Sequence, residues 1–159
     1  MNSSWSLPGR RKQIPYENPR GRRVNVLAAY APVGPRAELA WRSEARTLKS
    51  EDLLEFLLGL AQEALPATVV LDNGSIHVSR VVQGARGWLA EQGLELYHLP
   101  AYSPELNDIE RVFRRIKHYE MVERTYSTTE LLQAAVEEAF AGVAQQTARA
   151  DGQQLRQAA

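Results

Sequence analysis

Residues 67–71, Ala-Thr-Val-Val-Leu, and residues 94–99, Leu-Glu-Leu-Tyr-His-Leu, are two short runs rich in apolar and β-branched side chains, with residues 72–93 between them. That spacing constrains the fold more than any other feature. Strands joined by a tight turn pair antiparallel, whereas a connection this long returns the chain to lay down a parallel neighbour, here through a helix expected from about Ser79 to Gln92. Parallel strands are covered by helices, so a continuous apolar run such as Val69-Val70-Leu71 reads as a buried strand. The fold class is therefore α/β.

The other elements follow from periodicity and turn residues. Val24, Val26 and Ala28 alternate with Asn25 and Leu27 in a longer strand, and Glu38-Leu39-Ala40-Trp41 pairs with it through a turn between Pro32 and Pro35. Upstream, Ser4-Trp5-Ser6-Leu7 reads as an edge strand or hairpin arm broken by Pro8, Gly9 and Pro15. Ser50 caps a helix with Asp52 near its positive end and Leu53, Leu54, Leu57, Leu58 and Ala61 as its buried stripe, ending before Pro66. Pro100 and Pro104 bracket a loop, after which a helix runs from Pro104 or Glu105 to Met121. Ser127 or Thr128 caps a last helix carrying Leu131, Leu132, Ala135, Val136 and Phe140. The length of 159 residues suits one domain, taken as residues 1–145, and the polar stretch 146–159 is expected to be a disordered tail.

Two places carry chemistry. The strand 67–71 ends at Asp72, followed at once by Asn73 and Gly74. Ligands gather at the carboxyl ends of parallel strands, which makes Asp72 a candidate site residue; the ordinary alternative is an aspartate capping the turn that follows. In the helix of 105–121, Ile109, Val112, Phe113 and Ile116 form one apolar face. At about 100° per residue, Glu110 lies on one flank with Arg114 and Lys117, and Asp108 on the other, so both acids are not expected to serve one site. An intrahelical Glu110–Arg114 pair, worth about 0.2–0.5 kcal/mol, explains Glu110 equally well.

The formal net charge of zero hides an uneven distribution. Arg10, Arg11, Lys12, Arg20, Arg22 and Arg23 face one acid, Glu17, in the first 23 residues, and Arg111, Arg114, Arg115 and Lys117 form a second basic cluster. Such patches suit a polyanion, and the interleaved Trp5 and Tyr16 suit nucleic acid, whose bases stack on aromatic rings; a solvated charged face is the plainer reading. The chain has no cysteine, which removes disulfides and thiolate metal sites and points to a cytoplasmic setting. No run is long and apolar enough to span a membrane, and residues 1–12 lack the apolar stretch of a secretory leader.

Taken together, Asp72-Asn73-Gly74-Ser75-Ile76-His77 after an apolar strand, and Leu99-Pro100-Ala101-Tyr102-Ser103-Pro104-Glu105-Leu106-Asn107-Asp108-Ile109-Glu110 opening a basic helix, closely resemble the DDE transposases of bacterial insertion sequences related to mariner elements. The resemblance extends over most of the chain, including the stretches 5–9 and 23–30. It implies a ribonuclease H-like mixed sheet flanked by helices. It also implies a transposase acting on transposon ends and target DNA by phosphodiester cleavage and strand transfer, associated with the nucleoid when bound. In that family carboxylates hold Mg²⁺, with Mn²⁺ as a substitute, and the resemblance puts two of them on Asp72 and Glu110. A hard cation of this kind prefers carboxylate oxygens. Asn73 and His77 match residues that orient the aspartate or bond a phosphate. Arg114, Lys117, Arg10, Arg11 and Lys12 are the expected DNA contacts, and a homodimer or an intact transposase is the expected protein partner.

The chain departs from the family in two ways. Its first carboxylate stands at the end of a first, central strand upstream of Trp5, and nothing in this sequence replaces either. Asp108 also stands where relatives usually carry proline. The expected fold is accordingly a mixed sheet lacking its first central strand. The expected activity is that of a transposase region inert by itself, with a non-enzymatic DNA-binding or regulatory remnant as the alternative. A third class, a phospho-accepting receiver, lacks the acidic pair on a first strand and the lysine after a last one. An added apolar strand ending in aspartate is expected to restore Mg²⁺-dependent nicking and to raise thermal stability.

Overall fold

The computed structural model describes residues 22–32, 38–63, 65–121 and 125–157. The expected hairpin arm around Leu7, the turn over 33–37, and Arg10, Arg11 and Lys12 lie outside the described residues.

Strand β1 (Asn25–Ala31) pairs antiparallel with β2 (Glu38–Glu44) over its whole length, from Asn25 opposite Glu44 to Ala31 opposite Glu38. Helix α1 (Ser50–Glu63) follows, then β3 (Ala67–Leu71), helix α2 (Arg80–Glu91) and β4 (Leu94–His98). β3 and β4 pair in parallel, Ala67 opposite Leu94 and Leu71 opposite His98, as the long helical connection requires. Ser79 caps α2, its hydroxyl accepting from the Val82 amide. At the start of α1 the capping role falls to Asp52 rather than Ser50: Ser50 is already helical, and the Asp52 carboxylate accepts from the Lys49 amide at 2.7 Å.

The four described strands form two separate two-stranded sheets, β1-β2 and β3-β4, where the sequence predicts one mixed sheet missing a strand. Among the described residues, no strand joins β1 to β3. The expectation that β3 is a buried strand holds only in part. Exposure alternates along it, with Thr68 and Val70 exposed, because α1 and α2 cover one face and no described element covers the other.

Two apolar clusters result. Leu53, Leu57 and Ala61 of α1 pack with Val82 and Leu89 of α2 and with Leu71, Leu94 and Leu96 of the parallel pair. The second joins Val136, Phe140 and Val143 of the last helix to Val112, Ile116 and Leu39. The hairpin is their shared wall: Leu27 of β1 belongs to the first cluster, while Val26 and Ala28 pack on the second, following the period of two along a strand.

The basic helix departs from its expected form. Pro104–Leu106 is a single 3-10 turn, Asn107 is non-helical, and α3 spans Ile109–Arg115 before widening into a π-helical turn at Ile116–Glu120. The last helix, α4, spans Thr129–Gln157, with Thr128 Oγ1 accepting from the Leu131 amide. It therefore continues through 146–157, where a disordered tail is predicted; alanine, glutamine and arginine favour helix even without an apolar face.

Candidate metal centre

β3 delivers Asp72 to the carboxyl end of the parallel pair, where its side chain is half exposed. Its Oδ1 accepts from the Gly74 amide at 2.8 Å and lies 2.5 Å from Nδ1 of His77. The turn closes with the His77 amide donating to the Gly74 carbonyl at 2.9 Å. Glycine suits position 74: a Cβ there would stand 3.0 Å from Asp72 Oδ1 and 3.3 Å from His77 Nδ1, so these side chains would have to give by a few tenths of an ångström. Thus Asp72 both caps its turn and presents a carboxylate, the first role taking Oδ1 and leaving Oδ2 without a hydrogen bond among the described residues. His77 itself is anchored, its carbonyl 3.2 Å from Nε2 of His98.

The amide nitrogen of Asn73 donates to the carbonyl oxygen of Leu99 at 2.8 Å, which ties the side chain to the neighbouring strand end.

Glu110 stands in the first turn of α3, its backbone amide donating to Asn107. Its side chain is exposed and makes no ion pair with Arg114 or with any other described residue. Asp72, His77 and Glu110 all line one cavity of about 550 Å³ between β1, β3 and α1. Asp108, the N-cap residue of α3 with helical backbone angles, lines it too, so both flanks of the helix start border one cavity. Asp108 also lies 3.6 Å from Arg111. Arg114 and Lys117 are exposed and lie outside the cavity lining, on the helix that carries Glu110.

The donor set suits a hard cation, since Asp72 Oδ2 and the Glu110 carboxylate have no hydrogen bond or ion pair among the described residues and both residues line one cavity. Among the described residues, however, no group of three or more His, Asp or Glu side chains is gathered closely enough to hold a metal ion. No described helix is long and apolar enough to cross a membrane.

A family profile described as DDE superfamily endonuclease matches residues 1–133. A search of curated proteins gave no match. Among solved structures, the chain is similar to one in the crystal structure of the Mos1 strand transfer complex, with a TM-score of 0.60 and 18% identity over 87% of this chain and 42% of that one. It also aligns with a chain of the simian T-cell lymphotropic virus intasome, determined by cryo-electron microscopy with the PP2A regulatory subunit B56 gamma, at a TM-score of 0.44 and 15% identity over 79% of this chain and 52% of that one. The protein thus spans less than half the length of the Mos1 chain whose mixed α/β, ribonuclease H-like fold it shares.

Proposed function

The chain belongs to the DDE superfamily of endonucleases, and from that premise we propose that it is part of the catalytic region of a transposase, acting on the phosphodiester backbone at transposon ends and target DNA. The observation that carries this reading is the convergence of Asp72 and Glu110, from a strand end and a separate helix, on one cavity. Enzymes of this superfamily generally use divalent metal ions. Mg²⁺, or Mn²⁺ in its place, would supply charge stabilisation to a phosphoryl displacement when bound. Asp72 would hold it through Oδ2, with the bond from His77 to Oδ1 keeping the carboxylate aimed outward. Glu110 would give the second carboxylate. Arg114 and Lys117 hold phosphates and so fix the register of the duplex without reading its bases. Arg10, Arg11 and Lys12 add to that attraction in this reading, and a second copy or an intact transposase is the protein partner.

A second reading, a non-enzymatic DNA-binding or regulatory remnant, is favoured by one observation: Asp72 and Glu110 are not joined by a third ligand among the described residues. Mg²⁺ prefers near-octahedral oxygen ligation and gives up its waters reluctantly, so two carboxylates hold it weakly. Metal binding and DNA nicking separate the two readings. Under the first, the 159-residue chain binds Mn²⁺, Asp72→Asn and Glu110→Gln each abolish that binding, and any nicking of supercoiled DNA depends on both carboxylates. Binding of duplex DNA with no Mn²⁺ affinity that these substitutions alter would establish the second.

A further inference from the structure

We propose that Asn73 is a positioning residue that clasps the turn after β3 to the loop after β4, and so sets how Asp72 and Glu110 stand to each other. The inference rests on the reading of those two carboxylates as metal-holding groups. A carbonyl oxygen only accepts hydrogen bonds, so the Asn73 amide nitrogen must face Leu99, to which it donates at 2.8 Å. Leu99 is buried, and its own amide donates to the Leu71 carbonyl at 2.8 Å, so it is the last rung joining the two parallel strands. The Asn73 bond adds one rung beyond the regular ladder, at the residue where the chain leaves the sheet.

What leaves the sheet there needs holding. Residues 100–108 are largely exposed, Tyr102 fully so, and its φ of 59° places it in the left-handed region that non-glycine residues seldom occupy. The backbone bonds inside this loop are local, from Leu106 to Ser103 and from Asn107 to Pro104. At its far end stands Glu110, on a helix whose Ile109, Val112 and Phe113 pack on the second apolar cluster. Asp72 stands instead on the sheet built over the first, directly after Leu71. The two carboxylates thus sit on differently supported elements, and the loop rooted at Leu99 is the stretch of chain that leads from the sheet to Glu110. Fixing that root limits how far Glu110 drifts from Asp72.

The test compares the unsubstituted chain with Asn73→Ala, which truncates the amide, and Asn73→Leu, which keeps its bulk without a donor. Amide hydrogen exchange over 100–108 and Mn²⁺ affinity by electron paramagnetic resonance are the two readouts. Both variants are expected to speed exchange in the loop by about tenfold and to weaken Mn²⁺ binding by about 10–100-fold, the range for lost outer partners of metal ligands. Asp72→Asn is expected to abolish Mn²⁺ binding while leaving loop exchange unchanged. Unaltered exchange over 100–108 in both Asn73 variants overturns the clasp. Faster exchange with undiminished Mn²⁺ affinity overturns its role in positioning. Mn²⁺ binding that survives Asp72→Asn overturns the metal-centre reading itself, whereas the exchange data still judge the clasp.

Discussion

At Asp52, one carboxylate gathers three pieces of chain. Its Oδ2 accepts from the Lys49 amide at 2.7 Å and from Arg46 Nη1 at 2.8 Å, and its Oδ1 lies 2.5 Å from Arg46 Nη2. The guanidinium of Arg46, then the Lys49 amide, hold the Asp52 carboxyl well below the usual carboxylate range. A carboxyl depressed in the folded state contributes stability that is complete above its unfolded pKa and lost as pH falls through the folded one. The melting temperature is therefore expected to fall below about pH 4, the ordinary range for aspartate. Asp52→Asn should lower it at neutral pH and flatten that acid limb in a series of thermal melts; an unchanged limb would assign acid lability to other carboxylates. Sequence position alone places Asp52 in a first helical turn, but not against Arg46, because that pairing depends on the path from β2 into α1. The same limit applied to Asn73, whose partner lies 26 residues away on another strand. Among the exposed cations, Arg114→Ala or Lys117→Ala should weaken binding to any duplex and lower the salt slope by about one for each lost phosphate contact. Unchanged binding in both would leave them a solvated helix face.

α4 docks on the hairpin through paired polar and aromatic contacts. Trp41 of β2 donates its indole N–H to Glu137 at 2.7 Å and stacks on Phe140, with ring centroids 5.8 Å apart. Phe113 of α3 meets the same ring edge-on at 5.9 Å, and Gln133 donates to both Ser43 oxygens, backbone and side chain. Phe140 is 1% exposed, so three elements converge on one ring. Phe140→Ala should cost about 3–5 kcal/mol in denaturant unfolding, the usual range for emptying an aromatic site. A loss below about 1 kcal/mol would mean that the cluster collapses into the space. The apolar stripe of α4 was legible in the sequence apart from Leu131, which is exposed, and so was that of α3, because both recur with the helical period. The π-helical turn at Ile116–Glu120 was not: one extra residue in a turn leaves no mark on composition, and it becomes visible only once Lys117, His118 and Tyr119 are seen turned outward. Nor was Asp108's place in the cavity, since a helical wheel gives directions around an axis and not the width of the space that the helix start borders.

At the scale of the whole molecule, spacing and turn chemistry made the parallel pair, the hairpin and the α/β class legible, because each depends on neighbours in the chain. Their mutual arrangement is not local. The resemblance implied a gap between β1 and the Asp72 strand, and the outcome is two sheets that face one cavity with α1 lining it through Leu53, Phe56, Leu57 and Leu60. A longer chain that lays an apolar strand in this gap should melt at a higher temperature, since each buried backbone group left without a partner costs about 1–3 kcal/mol. Equal melting of the two chains would show that water already satisfies those groups. The divided sheet also bears on how the protein behaves in company. Among the described residues no strand covers the outer edges of β1 and β3, where alternate residues hold their amide and carbonyl groups away from the partner strand, and the row on β3 continues past the exposed Val70. Such borders recruit whatever extended backbone collides with them. The 159-residue chain should therefore form reversible higher-mass species as its concentration rises, seen by sedimentation velocity, and heating should turn them into β-rich aggregates that Val70→Lys delays. The part of the protein that best accommodates one more strand is thus also the part that makes a crowded solution of it hard to keep clear.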